Sequence, residues 1–530
     1  MLHHSTIIPH SPLQHHQQVS LSSPLPHYLY FPSGLRSSST SLRIVRISEA
    51  HNNSNKDPVV KSTTGWSALY KRISFMRNPE MGAGFVLNQH VKEGKRVSKW
   101  ELWRIAQKLR QFGMYKLALE VYEWMNDRAQ KFSISSTDAA IQLGLIAKVR
   151  GILDAEDFFL KLSDEFKDTR TYGALLNAYV QAKSREKAES LIEKMKAESC
   201  VTHSQPFNVM MNLYVNLKVY DKVDLVALEM RQKNIRLDKY SYNILLSSCG
   251  AQGSVEKMEQ VFEQMMESHI RPDWTTFSTM ATTYTKLGQF EKAETCIKKV
   301  ESRIKGWNKT PYHYLINLYT SVGKREEVYR IWNVYKSIFP CVPNFSYFTM
   351  ISSLIRLGDI EGAERLYEEW QLVKSSFDPR IVNVLMFCYV RNGLLEKAEA
   401  LFDQMTLLGG KPNSKTWETL AERYIGENRV SDALSCLREA LTIDGSKKKW
   451  KPRPCNVFSI IKICEQNGDT ESKDVLMGLM RQVGCFEDEA YMSYISSTYE
   501  KVLSPDEVDE DNNGDPSEKL MNMLLRNGFI

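Results

Sequence analysis

None of the nine cysteines (200, 249, 296, 341, 388, 436, 455, 464 and 485) belongs to a CxxC pair. Zinc sites built on that spacing are excluded, and several of these cysteines fall within helical apolar stripes, so they read as buried thiols of a reducing compartment. No run of about 18 apolar residues exists that could span a bilayer, so no membrane partner is expected. HExxH, GxGxxG, GxxxxGK followed by Ser or Thr, and His-x-Glu ahead of CxxC are all missing. Metalloprotease, dinucleotide, P-loop and zinc-deaminase chemistry lose their usual carriers, and neither a catalytic set nor a cofactor is expected. Asp509, Asp511, Asn513 and Gly514 begin like a calcium loop, but its twelfth place is Leu520 where a bidentate Glu belongs.

The first 48 residues lack Asp, Glu and Lys altogether, and their first arginine is Arg36. A Ser-, Pro- and His-rich stretch with only positive charge cannot form a core and reads as an organelle transit peptide, here assigned to residues 1–60. Prolines at 9, 12, 24, 26 and 32 interrupt the amphipathic helix of a typical mitochondrial presequence, which favours the chloroplast. Six of the eleven histidines lie here, with no fold to hold them as metal ligands.

At 530 residues the chain exceeds one core, so it is several domains or one repeat array. Its net charge of +6 permits nucleic-acid binding without demanding it. The stretch Lys239 to Asp273 decides between the two architectures. Tyr242, Leu245, Leu246 and Cys249 make one helical stripe, and after a turn at Gly253, Val255, Met258, Val261, Phe262, Met265 and Met266 make a second. Two such helices, A and B, cannot bury both stripes on each other, so neighbouring copies must complete the core.

The copies are there, at frames starting 99, 134, 169, 204, 239, 274, 309, 344, 379 and 414, each 35 residues long. The fifteenth place is Gly113, Gly253, Gly288, Gly323, Gly358 and Gly393, with Lys or Asn in the other four. The twentieth is Ala118, Ala188, Ala293, Ala363, Ala398 and Ala433, a place where helices approach closely; the twenty-seventh is Met125, Met195, Met230, Met265 and Met405. Frame 134 fits worst, with Gly151 three places late. After a basic loop, KKKWKPR, an eleventh unit resumes near Pro454 with Gly468 at its turn. The resulting division is a helical N-terminal cap at 61–98, a repeat array at 99–488, and a C-terminal helix with an acidic linker and tail at 489–530.

Two repeat families share this length. Tetratricopeptide repeats place glycine eighth on helix A, where this chain has Leu176, Met211, Leu246, Ala281, Ile316, Ile351, Met386 and Ala421. By contrast, YSYNILLSSCGAQGSVEKMEQVFEQMMESHIRPD, GDIEGAERLYEEW at 358–370 and GLLEKAEALFDQM at 393–405 resemble the pentatricopeptide repeat, in its plant P-class form, over residues 99 to 488. The resemblance implies an all-α fold, a right-handed superhelical α-solenoid of helix-turn-helix repeats. It also implies a non-enzymatic protein that reads single-stranded organelle RNA, one base per repeat, through the fifth and last residues of each unit.

Carried onto this chain, the base-reading pairs are Asn208 with Asp238, Asn243 with Asp273, Ser278 with Asn308, and Asn383 with Asn413. By the family's code they prefer U, U and A, then a pyrimidine farther along. Gly173 with His203, Phe348 with Asp378 and Glu418 with Lys448 carry no evident preference, and His313 faces Pro343 or, with a one-residue ambiguity there, Asn344. Lys286, Arg356 and Arg391 stand at a thirteenth place suited to phosphate, and Phe348 could stack on a base. The same aspartates also suit a helix N-cap, and a basic loop at Lys447, Lys448, Lys449, Lys451 and Arg453 suits either phosphate or solvent. Two other outcomes stay open: an architectural part of an organelle ribosome or ribonucleoprotein, with its proteins as partners, and a protein-binding scaffold.

Overall fold

Glycine at the A-to-B turn is explained by the backbone: Gly113, Gly253, Gly288, Gly323, Gly358 and Gly393 all have φ between 71° and 76°. That left-handed conformation disfavours a Cβ, yet Lys183, Lys218 and Asn428 adopt it at the same place, with φ of 55°, 60° and 58°. The turn geometry belongs to the repeat and overrides local preference. In this computed structural model the described residues are 65–493, except 77–80, 199, 307, 374–376, 444–449 and 489–490. The chain divides into two units, Met1–Thr63 and Thr64–Ile530. The first unit, with the expected transit peptide, lies outside the described residues, as does the acidic linker and nearly all of 489–530.

The second unit is a solenoid of helical hairpins, and among the described residues it contains no strand. Eleven hairpins run from Lys99–Gln111 with Tyr115–Asn126 to Pro454–Asn467 with Thr470–Gln482. Each A helix packs on its own B helix and, from Ser136–Val149 onward, on the A helix that follows; the first hairpin meets Ser136–Val149 through its B helix, Tyr115–Asn126. The twentieth-place alanines and twenty-seventh-place methionines named above are all 0 % exposed, so both landmarks are core positions. Ahead of the array, Gly65–Ser74 and Gly82–Lys92 pack on the first hairpin, where Glu120 accepts from the Ala83 N–H and the Trp124 indole donates to Asn88.

Frame 134 departs as its late glycine suggests. Its A helix runs on to Val149, Gly151 takes φ 107°, and the B helix is cut to the ten residues Ile152–Lys161. The phase is recovered at Thr169–Gln181. Cysteines 249, 296, 388, 436, 464 and 485 are buried, whereas Cys341 and Cys455 are exposed and Cys200 is half-buried. The exposed pair lies between helices or in a first helical turn, where no apolar stripe enforces burial.

A second ladder crosses the repeats. Glu189 accepts from Tyr214 (2.9 Å) and Lys222 (2.6 Å) of the next unit, Glu259 from Tyr284 and Lys292 (both 2.8 Å), and Glu364 from Tyr389 (2.7 Å) and Lys397 (2.8 Å). In frame terms these are always places twenty-one, eleven and nineteen. Burial acts to raise the Glu189 carboxyl, but the bonds from Lys222, Arg185 and Tyr214 prevail and hold it at about 2.

Candidate nucleic-acid interface

At Asp238, Asp273, Asp378 and Asn413 the last residue of a unit is the N-cap of the next A helix, whereas Thr310–Ser321 is capped by Lys309 and leaves Asn308 one place outside. Asp238 sits in extended backbone (φ −97°, ψ −179°), and its Oδ1 accepts the Ser241 N–H at 2.9 Å while the Asp238 N–H donates to Ser241 Oγ at 3.1 Å. Asp273 with Thr276 and Asn413 with Thr416 form the same reciprocal box. The fifth residue lies on the preceding A helix, facing this cap. The capping role considered from sequence is therefore real, and it brings the fifth and last residues within reach of each other.

Three of the four expected pairs are brought together. Asn208 Nδ2 donates to Asp238 Oδ1 at 3.2 Å, and Asn383 Nδ2 donates to Asn413 Oδ1 at 3.0 Å. Asn243 reaches Asp273 through Thr275, donating to its Oγ1 at 2.9 Å, while that hydroxyl donates to Asp273 Oδ1. All three asparagines are buried, at 8 %, 5 % and 7 % exposure for Asn208, Asn243 and Asn383. They are fixed parts of the wall, with one amide proton each engaged by the cap or its relay.

Ser278 and Asn308 are not brought together. Ser278 Oγ donates to its own helix at the Trp274 carbonyl (2.8 Å), and Asn308 is exposed with Oδ1 accepting from the Thr310 N–H (3.1 Å). Ser278 makes the same bond to its own helix that Thr279, Thr282 and Thr283 make, Asn308 lies one place outside the Lys309 cap, and Pro311 at the next unit's third place offers no hydroxyl between them. His313 binds Ser346 Oγ at 2.8 Å, and its burial together with Lys309 depresses the imidazole to about 4. Glu418 is spent on the Arg453 N–H (2.6 Å).

Charge at the interface is held in its ionised form. Burial pushes the Asp238 carboxyl up, but hydrogen bonds from Ser204, the Ser241 N–H and Asn208 bring it below the usual range. Asp273 is likewise lowered against its burial by Lys239 (2.7 Å) and Thr275. The outer oxygen of Asp238 accepts from Ser204 at 2.7 Å. The units of Asn208 and Asn243 thus set an amide donor beside an acidic acceptor, and that of Asn383 beside a second amide at Asn413.

Family models for the pentatricopeptide repeat domain match residues 166–217 and 225–286, and those for the PPR repeat match 275–303, 345–372 and 380–409. A pentatricopeptide repeat-containing protein of Arabidopsis thaliana is 52% identical over 89% of this chain and 90% of its own length. The chain belongs to the pentatricopeptide repeat family. Another Arabidopsis relative, large ribosomal subunit protein mL101, is 41% identical over 81% of this chain and 88% of its own. A third, named as mitochondrial, is 32% identical over 80% and 85%. Among solved structures, the pentatricopeptide repeat protein PPR10 in complex with an 18-nt psaJ RNA element aligns at 16% identity and TM-score 0.48, over 88% of this chain and 68% of that one.

The remaining residues expected at a pentatricopeptide RNA surface divide. Lys286 and Arg356 are exposed and, among the described residues, have no ion-pair partner. Arg391 lies 3.5 Å from Glu422 and 5.1 Å from the Phe387 ring centre, so its charge is partly engaged. Phe348 is half-buried, with the Arg380 guanidinium 5.8 Å from its ring centre. In the basic loop, Lys451 pairs with Asp488 (2.7 Å) and Arg453 with Glu422; Lys447, Lys448 and Lys449 lie outside the described residues.

Sequence reasoning missed the third place. Ser241, Thr276 and Thr416 are each 0 % exposed, and each donates its hydroxyl to the amide oxygen of the preceding unit's Asn208, Asn243 or Asn383, at 2.7, 2.8 and 2.8 Å. The signal was present: a polar third residue 33 places beyond every fifth-place asparagine.

Proposed function

We propose that this protein binds single-stranded organelle RNA by sequence and does so without altering it chemically, affecting the stability, processing or translation of a transcript. The observation that carries the reading is the in-phase repetition of an amide beside a capping Asp or Asn at Asn208–Asp238, Asn243–Asp273 and Asn383–Asn413. An outward amide N–H matches uracil O4, and the ionised Asp accepts from uracil N3–H. At Asn383 the second amide suits a pyrimidine, while an A opposite Ser278 and Asn308 rests on the family code alone. Lys286 and Arg356 would meet phosphates. The names of relatives favour a mitochondrion, and nothing among them supports the chloroplast preference drawn from the prolines.

Binding of the mature chain to RNA bearing the spaced U, U and pyrimidine, against a scrambled strand across a salt series, tests this. Tighter binding of the designed strand is expected; equal affinity would refute sequence reading. Asn243→Ser is expected to move the preference at one base from U toward G and leave the others alone.

The mL101 relative favours a second reading, an architectural part of an organelle ribosome. Co-sedimentation of the protein with large ribosomal subunits after a high-salt wash would support it.

A further inference from the structure

The amide of asparagine has nearly the same shape after a half-turn, but the turn exchanges donor and acceptor. Something must therefore decide which end faces a base. We propose that the third-place hydroxyl of the following repeat, above all Thr276, is the positioning residue that makes the fifth-place amide a donor and so sets base preference. This rests on the base-reading function proposed above and assigns part of its specificity to a residue one repeat away.

The geometry fixes the direction of the bond. The N–H of the last-place residue donates to the hydroxyl oxygen at 3.1 Å for Ser241, 3.3 Å for Thr276 and 3.1 Å for Thr416. The hydroxyl proton then has two acceptors in reach, the amide oxygen at 2.7, 2.8 and 2.8 Å and the cap oxygen of Asp238, Asp273 or Asn413 at 3.1, 3.3 and 3.1 Å, and the shorter distance directs it to the amide oxygen. With the oxygen held, the NH₂ group is left to serve the cap and the RNA. Asn243 depends on this most, because it does not touch the carboxylate directly and its NH₂ meets only the Thr275 hydroxyl.

The rest of the chain supplies the contrast. Where the third place is Pro206, Pro311 or Ile381, the preceding fifth place is Gly173, Ser278 or Phe348, and none of these is an amide. His313 has its hydroxyl at Ser346, but the last-place residue there is Pro343, which has no N–H, and the Tyr335 hydroxyl stands 2.7 Å from Ser346 Oγ instead. Asn208, Asn243 and Asn383 thus each face a hydroxyl that already accepts from backbone.

Thr276 also completes a capping box, so affinity or stability alone cannot test the proposal. The test compares U with C at the base opposite Asn243, by fluorescence anisotropy, for the wild-type chain, Thr276→Val and Thr276→Ser. Circular dichroism melts would establish that each variant folds. Thr276→Val is expected to lower the U-over-C ratio at that base about fivefold, the usual scale of one mispaired hydrogen-bonding group. Preference opposite Asn208 should stay unchanged, and Thr276→Ser should retain the wild-type ratio. A preserved ratio in Thr276→Val, with affinity for both strands reduced alike, would overturn the positioning role and leave base reading intact. A wild-type chain that binds both strands equally would overturn base reading itself. Should Thr276→Val fail to fold, Ser278→Asn is compared with Ser278→Asn/Pro311→Thr. Only the double variant is expected to gain a pyrimidine preference, and an equal gain by Ser278→Asn alone overturns the proposal.

Discussion

His313 shows how a side chain can occupy a recognition place and yet be withdrawn from it. Its ring is 9 % exposed, bonded to Ser346 and packed against Tyr335 and Phe345. Because burial depresses it to about 4, the folded chain keeps it neutral while the unfolded chain takes up a proton below the ordinary value of 6.5. The sign follows: stability is lost as pH falls from 6.5 toward 4. Thermal melts at pH 7 and pH 5 are expected to show a smaller drop for His313→Asn than for the wild-type chain. Lys286 makes the opposite case, exposed and without an ion-pair partner among the described residues. Lys286→Ala should weaken all RNA sequences alike and reduce the salt slope by roughly 0.7, the share of one phosphate on a single strand. At this scale the sequence set Asn208, Asn243 and Asn383 opposite the caps they face, while Asn308 stands outside its cap. The sequence did not show that Ser278 turns back onto the Trp274 carbonyl, because a serine's short side chain can bond within its own helix as readily as across the groove.

At the scale of the helical hairpin, left-handed turns and close-approach alanines matter more than the ion pairs that catch the eye. Lys218 holds φ 60° at a place where six of the ten frames carry glycine. Lys218→Gly is expected to stabilise the fold by about 0.5–1 kcal/mol, since relief of the Cβ clash exceeds glycine's added entropy cost, read as a higher urea midpoint. Ala398→Leu, at a fully buried place, should instead cost about 1–3 kcal/mol by overpacking. Glu364→Ala removes bonds to Tyr389 and Lys397 but, at a partly exposed pair, should cost less than about 1 kcal/mol. The period of 35 made these elements readable, since glycine, alanine and methionine recur in phase. Frame 134 was readable only as a misfit; that its B helix would shorten to ten residues follows from Gly151 and from the need to rejoin phase at Thr169.

Across the whole array, the cross-repeat carboxylates act together. Glu189 is held at about 2, and Glu259 and Glu364 are also lowered, by Lys292 with Tyr284 and by Lys397 with Tyr389. Groups lowered on folding contribute stability above their unfolded values and lose it as pH falls through the folded ones. The melting temperature is therefore expected to decline further from about pH 4.5 to 2, and high salt should narrow the difference. The array itself was legible because ten copies repeat one pattern. The contacts between copies were not, because each joins residues that no single copy contains.

The third-place hydroxyl extends this to what can be cut and pasted. A recognition place is completed by the unit behind it, so the smallest exchangeable piece of this chain is a seam and the repeat is not. Removing residues 274–308 would set Pro311 in the third place after Asn243, where Thr276 now stands. One excised repeat would then silence two places on the RNA, the one deleted and the one left facing proline.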